Sequence, residues 1–280
     1  MNLSKEINDL FSRQQEEWGL LRTAINQRDT IREKTIFWGD DFQVKVQYNP
    51  ARMVSTGADI DAETIEKRPC FLCAENRPSL QKGIPFLDKY LILCNPYPII
   101  ENHLTIPLHS HVAQRIRRKV GDMLSLAELL PGYVVFYNGP RSGASAPDHF
   151  HLQAGLKSPV LLQGDNELRA CLMIESSDKE EVEELFEDVY QYLRHRQPEE
   201  GEPMMNVIAF TEQNRYKLHL FPRRAHRPRQ YFETGSKQLM ISPGALDMAG
   251  LIITVREEDF DKLGPHDIED IYTQVSLPVM

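Results

Sequence analysis

Asn138-Gly-Pro-Arg-Ser-Gly-Ala-Ser-Ala-Pro-Asp-His-Phe-His-Leu-Gln153 is the most informative stretch of the 280-residue chain. Side chains alternate between the two faces of a strand, so a strand over 149–154 puts His149, His151 and Gln153 on one face and Phe150 and Leu152 on the other. Two imidazoles and an amide are costly in a dry core, because each needs hydrogen-bond partners. A functional pocket is the natural place for them. The residues just before them include Gly139, Ser142, Gly143 and Ser145. Such small residues let backbone N–H groups come close to an anion.

Around this centre the pattern alternates between strands and helices. Apolar residues at helical spacing (Ile7, Leu10, Phe11, Trp18, Leu21, Ile25) predict an amphipathic helix over 3–25. Alternation through Phe42, Val44, Val46 and Tyr48 predicts a strand within 36–48. A polar loop follows over 58–77, then short strands at 90–94 and 103–106, a helix over 112–130 and a strand at 132–137. Beyond His151 come a charged helix over 179–196 with an apolar stripe, strands at 204–210 and 216–221, and an apolar strand at 250–255. A soft boundary at 158–178 divides the chain into 1–160, which carries the chemistry, and 161–280. The similar order of elements suggests a duplicated unit whose second half is degenerate. The expected class is α+β on a mostly antiparallel sheet flanked by helices.

Composition narrows the partners. A formal charge of -9 speaks against a general nucleic-acid binder, which needs a basic face. The segment 213–232 nevertheless carries Arg215, Lys217, Arg223, Arg224, Arg227 and Arg229 with no carboxylate among them. That suits a small, highly charged ligand. The apolar runs are too short to span a bilayer and the N-terminus has no apolar signal core, so the expected compartment is the cytoplasm, with no membrane partner. Cys94 and Cys171 lie in apolar stretches and read as buried thiols. Cys70 and Cys73 form a C-x-x-C, which in a reducing compartment is metal-binding or redox-active.

The stretch 138–153 resembles the histidine-triad superfamily, specifically its transferase branch of diadenosine tetraphosphate phosphorylases, GDP-L-galactose phosphorylases and galactose-1-phosphate uridylyltransferases. Hydrolases of the superfamily carry a third histidine where this chain has Gln153. Pro69-Cys-Phe-Leu-Cys-Ala-Glu-Asn76 is similar to a zinc-binding segment of that branch, and 95–107 to the strand pair leading into its nucleotide pocket. The resemblance implies His151 as nucleophile, attacking a nucleotide phosphorus to form a covalent nucleotidyl-histidine. Gln153 then contacts the phosphoryl oxygens, with Asn138, Gly143 and Ser145 binding substrate phosphate. It also implies a structural zinc held by Cys70, Cys73, His149 and one further histidine. His109 and His111 both stand near enough in sequence; His111 is the expected ligand and His109 the alternative. His103 reads as a pocket-edge or hydrogen-bonded histidine, and His219 as facing the same side as Lys217 and Phe221.

The implied substrates are a nucleotide or nucleotide-sugar together with inorganic phosphate or a sugar phosphate, acting on a monomer or homodimer. The competing expectations are a hydrolase of dinucleoside polyphosphates and a non-catalytic nucleotide-binding protein. Phosphate-dependent turnover separates the first from a transferase, and covalent labelling the second.

Overall fold

The computed structural model describes residues 2–38, 42–57, 61–158, 160, 162 and 168–278. Parts of the expected boundary at 158–178 and of the loop at 58–77 thus lie outside the described residues. The strands are β1 (Arg32–Trp38), β2 (Phe42–Tyr48), β3 (Gly83–Phe86), β4 (Tyr90–Cys94), β5 (Leu104–Pro107), β6 (Tyr133–Asn138), β7 (His151–Leu156), β8 (Leu172–Ser176), β9 (Met205–Glu212), β10 (Arg215–Pro222) and β11 (Leu251–Thr254). Eight of them form one antiparallel sheet in the order β3-β4-β5-β7-β6-β9-β10-β8. A smaller sheet, β1-β2-β11, pairs β11 parallel to β2. The class is α+β, as expected.

The large sheet is covered on both faces. Every residue of β6 is buried, and successive residues serve different cores. Tyr133, Val135 and Tyr137 pack with the helices Val120–Leu129 and Lys179–Arg196. Val134 and Phe136 join the opposite core with β2, β11 and the C-terminal helix Pro265–Val275. A strand buried on both sides reads as a continuous apolar run, as Tyr133-Val-Val-Phe-Tyr137 does. The two parts of the chain meet at β6 and β9, where Asn138 stands opposite Asn206.

The helix Lys179–Arg196 starts and stops for clear reasons. Asp178 caps it by accepting from Glu180 N and Glu181 N, and Arg194, His195 and Arg196 sit in its last turn. Other elements differ from the expected ones. The N-terminal helix breaks at Trp18, which adopts an extended backbone between Leu3–Glu17 and Gly19–Asn26. Burying the indole turns the chain there. The strand expected at 36–48 is a hairpin of β1 and β2. The helix expected over 112–130 begins only at Val120, because Val112 and Gln114 bond to the segment carrying the histidines. A short helix, Ala62–Lys67, interrupts the expected loop.

One buried carboxyl in this frame yields a prediction. Glu202 accepts from Ile116 N (2.7 Å) and lies against the Tyr137 hydroxyl. Tyr137 has one proton and a second acceptor nearby, Gln114 O at 3.1 Å. A protonated Glu202 supplies the missing donor. Burial pushes its carboxyl from 4.5 up to about 7. A raised value means the folded chain keeps a proton that the unfolded chain releases near pH 4.5, so this stabilisation is whole below that pH and lost as pH climbs through 7. Between about pH 5 and about pH 8 the parent should lose roughly 3 kcal/mol relative to Glu202→Gln, which keeps the shape without the titration. Thermal melts of both proteins across that range check it; curves that run parallel would place a charged Glu202 in the fold.

Candidate active site and metal cluster

β7 begins at His151, not at 149, which alters the geometry expected for the motif. Phe150, Leu152 and Ala154 fill one core, and His151 and Gln153 emerge on the other face into a cavity of about 570 Å³. His149 precedes the strand, in a bend, and turns away to a different group of side chains. The two histidines therefore do not share a pocket.

His151 is almost fully buried. Its Nδ1–H donates to His149 O at 2.9 Å, which leaves Nε2 carrying the lone pair. Burial lowers its pKa to about 4, so the ring is neutral around pH 7. Gln153 is oriented by His103. Ile99 N donates to His103 Nδ1 (3.2 Å), so His103 Nε2–H donates to Gln153 Oε1 (2.9 Å). Burial drops His103 to about 3, with Arg52 adding to the shift. Gln153 thus has its NH2 group left as donor. His103 is hydrogen-bonded and buried.

The loop after β6 forms the next wall, with Asn138, Gly143 and Ser145 lining the cavity. Asn138 Oδ1 accepts from Asn206 Nδ2 (2.8 Å) and Ala245 N (2.7 Å), leaving its own amide nitrogen for a ligand. Gly143 has φ +95, and a Cβ there would stand 2.8 Å from Gly244 Cα. No side chain fits that close approach. The segment around Gly244 thereby closes against the glycine-serine loop. Arg223, fully buried, holds it there through Pro243 O (2.9 Å) and Asn206 Oδ1 (2.5 Å).

Three arginines line the cavity, Arg52, Arg68 and Arg227, against one carboxylate, Asp247. Burial lowers Arg52 to about 10 and raises Asp247 to about 6. The excess of cations on an acidic chain matches the charge of a phosphorylated ligand. Trp18, Phe71, Tyr97 and Phe136 add aromatic wall. The basic segment 213–232 is not a patch. Arg215 pairs with Glu175 at 2.7 Å, Lys217 with Glu212 at 3.0 Å and Arg229 with Asp270 at 2.8 Å. Of its six cations only Arg227 reaches the cavity wall. His219 packs edge-on against Phe210, ring centroids 5.4 Å apart, away from the cavity lining.

Beside the cavity, Cys70, Cys73, His111 and His149 bring four ligand atoms within 4.8 Å of one another. His149 Nδ1 lies 3.4 Å from Cys70 Sγ and 3.5 Å from Cys73 Sγ, and His111 Nδ1 lies 3.1 Å from Cys73 Sγ. Metal–sulfur and metal–nitrogen bonds of about 2.3 and 2.0 Å in a tetrahedron separate such atoms by roughly 3.5 Å. The donor set fits a metal ion. His149 Nε2–H donates to Leu108 O (2.9 Å), turning its Nδ1 lone pair inward, and Asp148 Oδ2 lies 3.6 Å from His111 Nε2. Arg68 holds Asp148 at 2.9 Å. His109 stands outside the group; its N–H is bonded to Lys89 O.

Several of these residues have no local signal in the sequence. Arg52, Arg68 and Asp247 reach the site from separate segments, and Asn206 acts from behind it together with Arg223 of the basic segment. Only the register of β6 against β9 brings Asn206 to Asn138.

The fold is shared with crystal structures of yeast Ap4A phosphorylase Apa2. One aligns with TM-score 0.64 at 17% identity, covering 94% of this chain and 97% of that chain. A second, in complex with AMP, aligns with TM-score 0.61 at 18% identity over 99% and 97%. A third, in complex with Ap4A, aligns with TM-score 0.66 at 16% identity over 99% and 98%. No curated protein matches the sequence. A family model described as "Domain of unknown function (DUF4922)" matches residues 10–156, more than half the chain and the part that supplies both the cluster and His151. The chain is a member of the DUF4922 family.

Proposed function

We propose that the chain is a nucleotidyltransferase of the phosphorylase type, with His151 as its nucleophile. The observation that carries this reading is the state of one ring: His151 donates from Nδ1 to its own strand and presents an unprotonated Nε2 in a cavity rich in arginine. Nε2 attacks the α-phosphorus of a nucleotide or nucleotide-sugar, the N–P bond forms, and the bond to the leaving phosphate oxygen breaks. Inorganic phosphate or a sugar phosphate then takes the nucleotide from the ring, restoring the lone pair. Gln153 donates from its amide to the phosphoryl oxygens, with Asn138, Ser145 and the backbone at Gly143 around the same charge. A fold held in common with an Ap4A phosphorylase, crystallised with AMP and with Ap4A, supports a nucleotide as the bound species.

Cys70, Cys73, His111 and His149 would hold a zinc ion. With four protein ligands and no open position, it would supply no Lewis-acid step and would fix the turn that leads into His151. On the same reading, residues 1–160 form the catalytic half and 161–280 a degenerate histidine-triad-like half, the working unit being a monomer or homodimer. Among the described residues no disulfide joins any of the four cysteines, in keeping with the cytoplasm. Among the described residues no helix is long and apolar enough to cross a membrane.

The test is intact-mass spectrometry after incubation with Ap4A and with ADP-, GDP- and UDP-hexoses, each with and without inorganic phosphate. A nucleotidyl adduct that phosphate discharges is expected. Turnover indifferent to phosphate would make the protein a hydrolase, and absence of any adduct would leave a binding protein.

A further inference from the structure

Gln114 has no part in the chemistry above, yet its side chain bonds both main-chain polar groups of the nucleophile. We infer that Gln114 is a positioning residue, setting the pose of His151 and tying it to the metal cluster. The inference rests on the reading of His151 as nucleophile.

β7 opens at a weak point. On the β5 side the ladder bond runs from Leu108 N to Phe150 O, so the main-chain N–H and C=O of His151, the next residue, face the β6 side. On that side, pairing with β6 reaches only Phe136 opposite Gln153. His151 would therefore be poorly held by the sheet. The side chain of Gln114, fully buried, fills this gap. Its Oε1 accepts from His151 N at 2.8 Å, and its Nε2 donates to His151 O at 3.0 Å and to Asn138 O at 2.9 Å. One amide thus holds both main-chain groups of the nucleophile and the end of β6. The partners fix which end of the amide is which, since carbonyls only accept and an N–H only donates.

Gln114 is itself immobilised. Its N–H donates to Pro147 O (3.1 Å) and its carbonyl accepts from the Tyr137 hydroxyl (3.1 Å). Two residues earlier, Val112 O accepts from Phe150 N at 2.6 Å. The segment 111–114 therefore runs alongside 147–151, with cluster residue His111 at one end and the clamp at the other. A buried amide with every polar group paired suits a part that must not move. Small displacements of a reacting atom cost large factors in rate.

The experiment compares the parent with Gln114→Leu and Gln114→Glu in three measurements: single-turnover loading by Ap4A, the dissociation constant for AMP, and bound metal. The parent's His151 ring signals in long-range proton–nitrogen NMR, assigned with His151→Asn, provide a readout independent of transfer. Gln114→Leu should load roughly 10- to 100-fold more slowly, with AMP affinity and metal content unchanged, and its ring should lose the single Nδ1–H tautomer. Gln114→Glu keeps the acceptor for His151 N but cannot donate to the two carbonyls, so it should fall between, and it serves if the leucine variant does not fold. Parent-like loading and ring signals in both variants would overturn the inference. So would a loading defect matched by equal losses of AMP affinity or metal, which marks general damage. If Ap4A loads neither parent nor variant, the transferase reading fails alone and the ring signals decide the role of Gln114.

Discussion

His151→Ala should form no nucleotidyl adduct and should lose turnover by a factor on the order of 10⁴ or more, the scale seen when an enzyme loses its nucleophile. The size follows from what the ring does. On the proposed mechanism Nε2 is the atom that bonds to phosphorus; among the described residues the other histidine lining the cavity is His226, whose Nε2 lies 3.2 Å from Ser242 Oγ and is engaged there. The fold should survive, because the ring faces the cavity and its loss leaves the packing of Phe150 and Leu152 intact. A change in stability on the order of 1 kcal/mol is expected. Intact mass, steady-state turnover and a thermal melt check the three parts. An adduct of undiminished yield on the alanine protein would move the nucleophile elsewhere.

Cys70→Ala and Cys73→Ala should cost more in stability than any change in the cavity. On the proposed zinc reading each would remove a ligand from a closed set of four, and structural zinc sites contribute several kcal/mol to folding. Burial pushes the Cys73 thiol up to about 11, so the cluster is an unfavourable place for a thiolate unless a cation is bound. Binding then releases protons, and metal affinity should fall with acidity. Activity should drop as well, roughly 10- to 100-fold in whatever folded fraction remains, because His149 O is the acceptor that orients the His151 ring. Elemental analysis, thermal melts with and without chelator, and turnover per folded chain measure these effects. A parent that carries no metal, or melts identically with chelator, would remove zinc from the account.

Much of this was legible in the sequence. The alternation of Phe150 and Leu152 against His151 and Gln153 fixes which side chains face solvent-filled space, and it does so through the strand period alone. The capped, charged helix 179–196 is equally local. What was not legible depends on neighbours distant in sequence. Residues 112–116 have helical composition but are held out of a helix by bonds from Val112 and Gln114 to 147–151 and from Ile116 N to Glu202, and tertiary pairing of that kind overrides propensity. The basic segment looked like one binding surface because sequence cannot show that Glu175, Glu212 and Asp270 come to meet its cations. The C-x-x-C was visible as a metal candidate, but the choice between His109 and His111 needed the turn after β5.

The bond from Ile99 N to His103 has a consequence for what may stand at position 153. That amide can only give its hydrogen, so the imidazole must receive on one side and give on the other, and position 153 must receive in turn. The direction of giving is thereby dictated, bond by bond, from a main-chain amide at the rim to the far end of the Gln153 side chain. A side chain at 153 that could not receive from His103 would reverse or break this sequence, whatever its size.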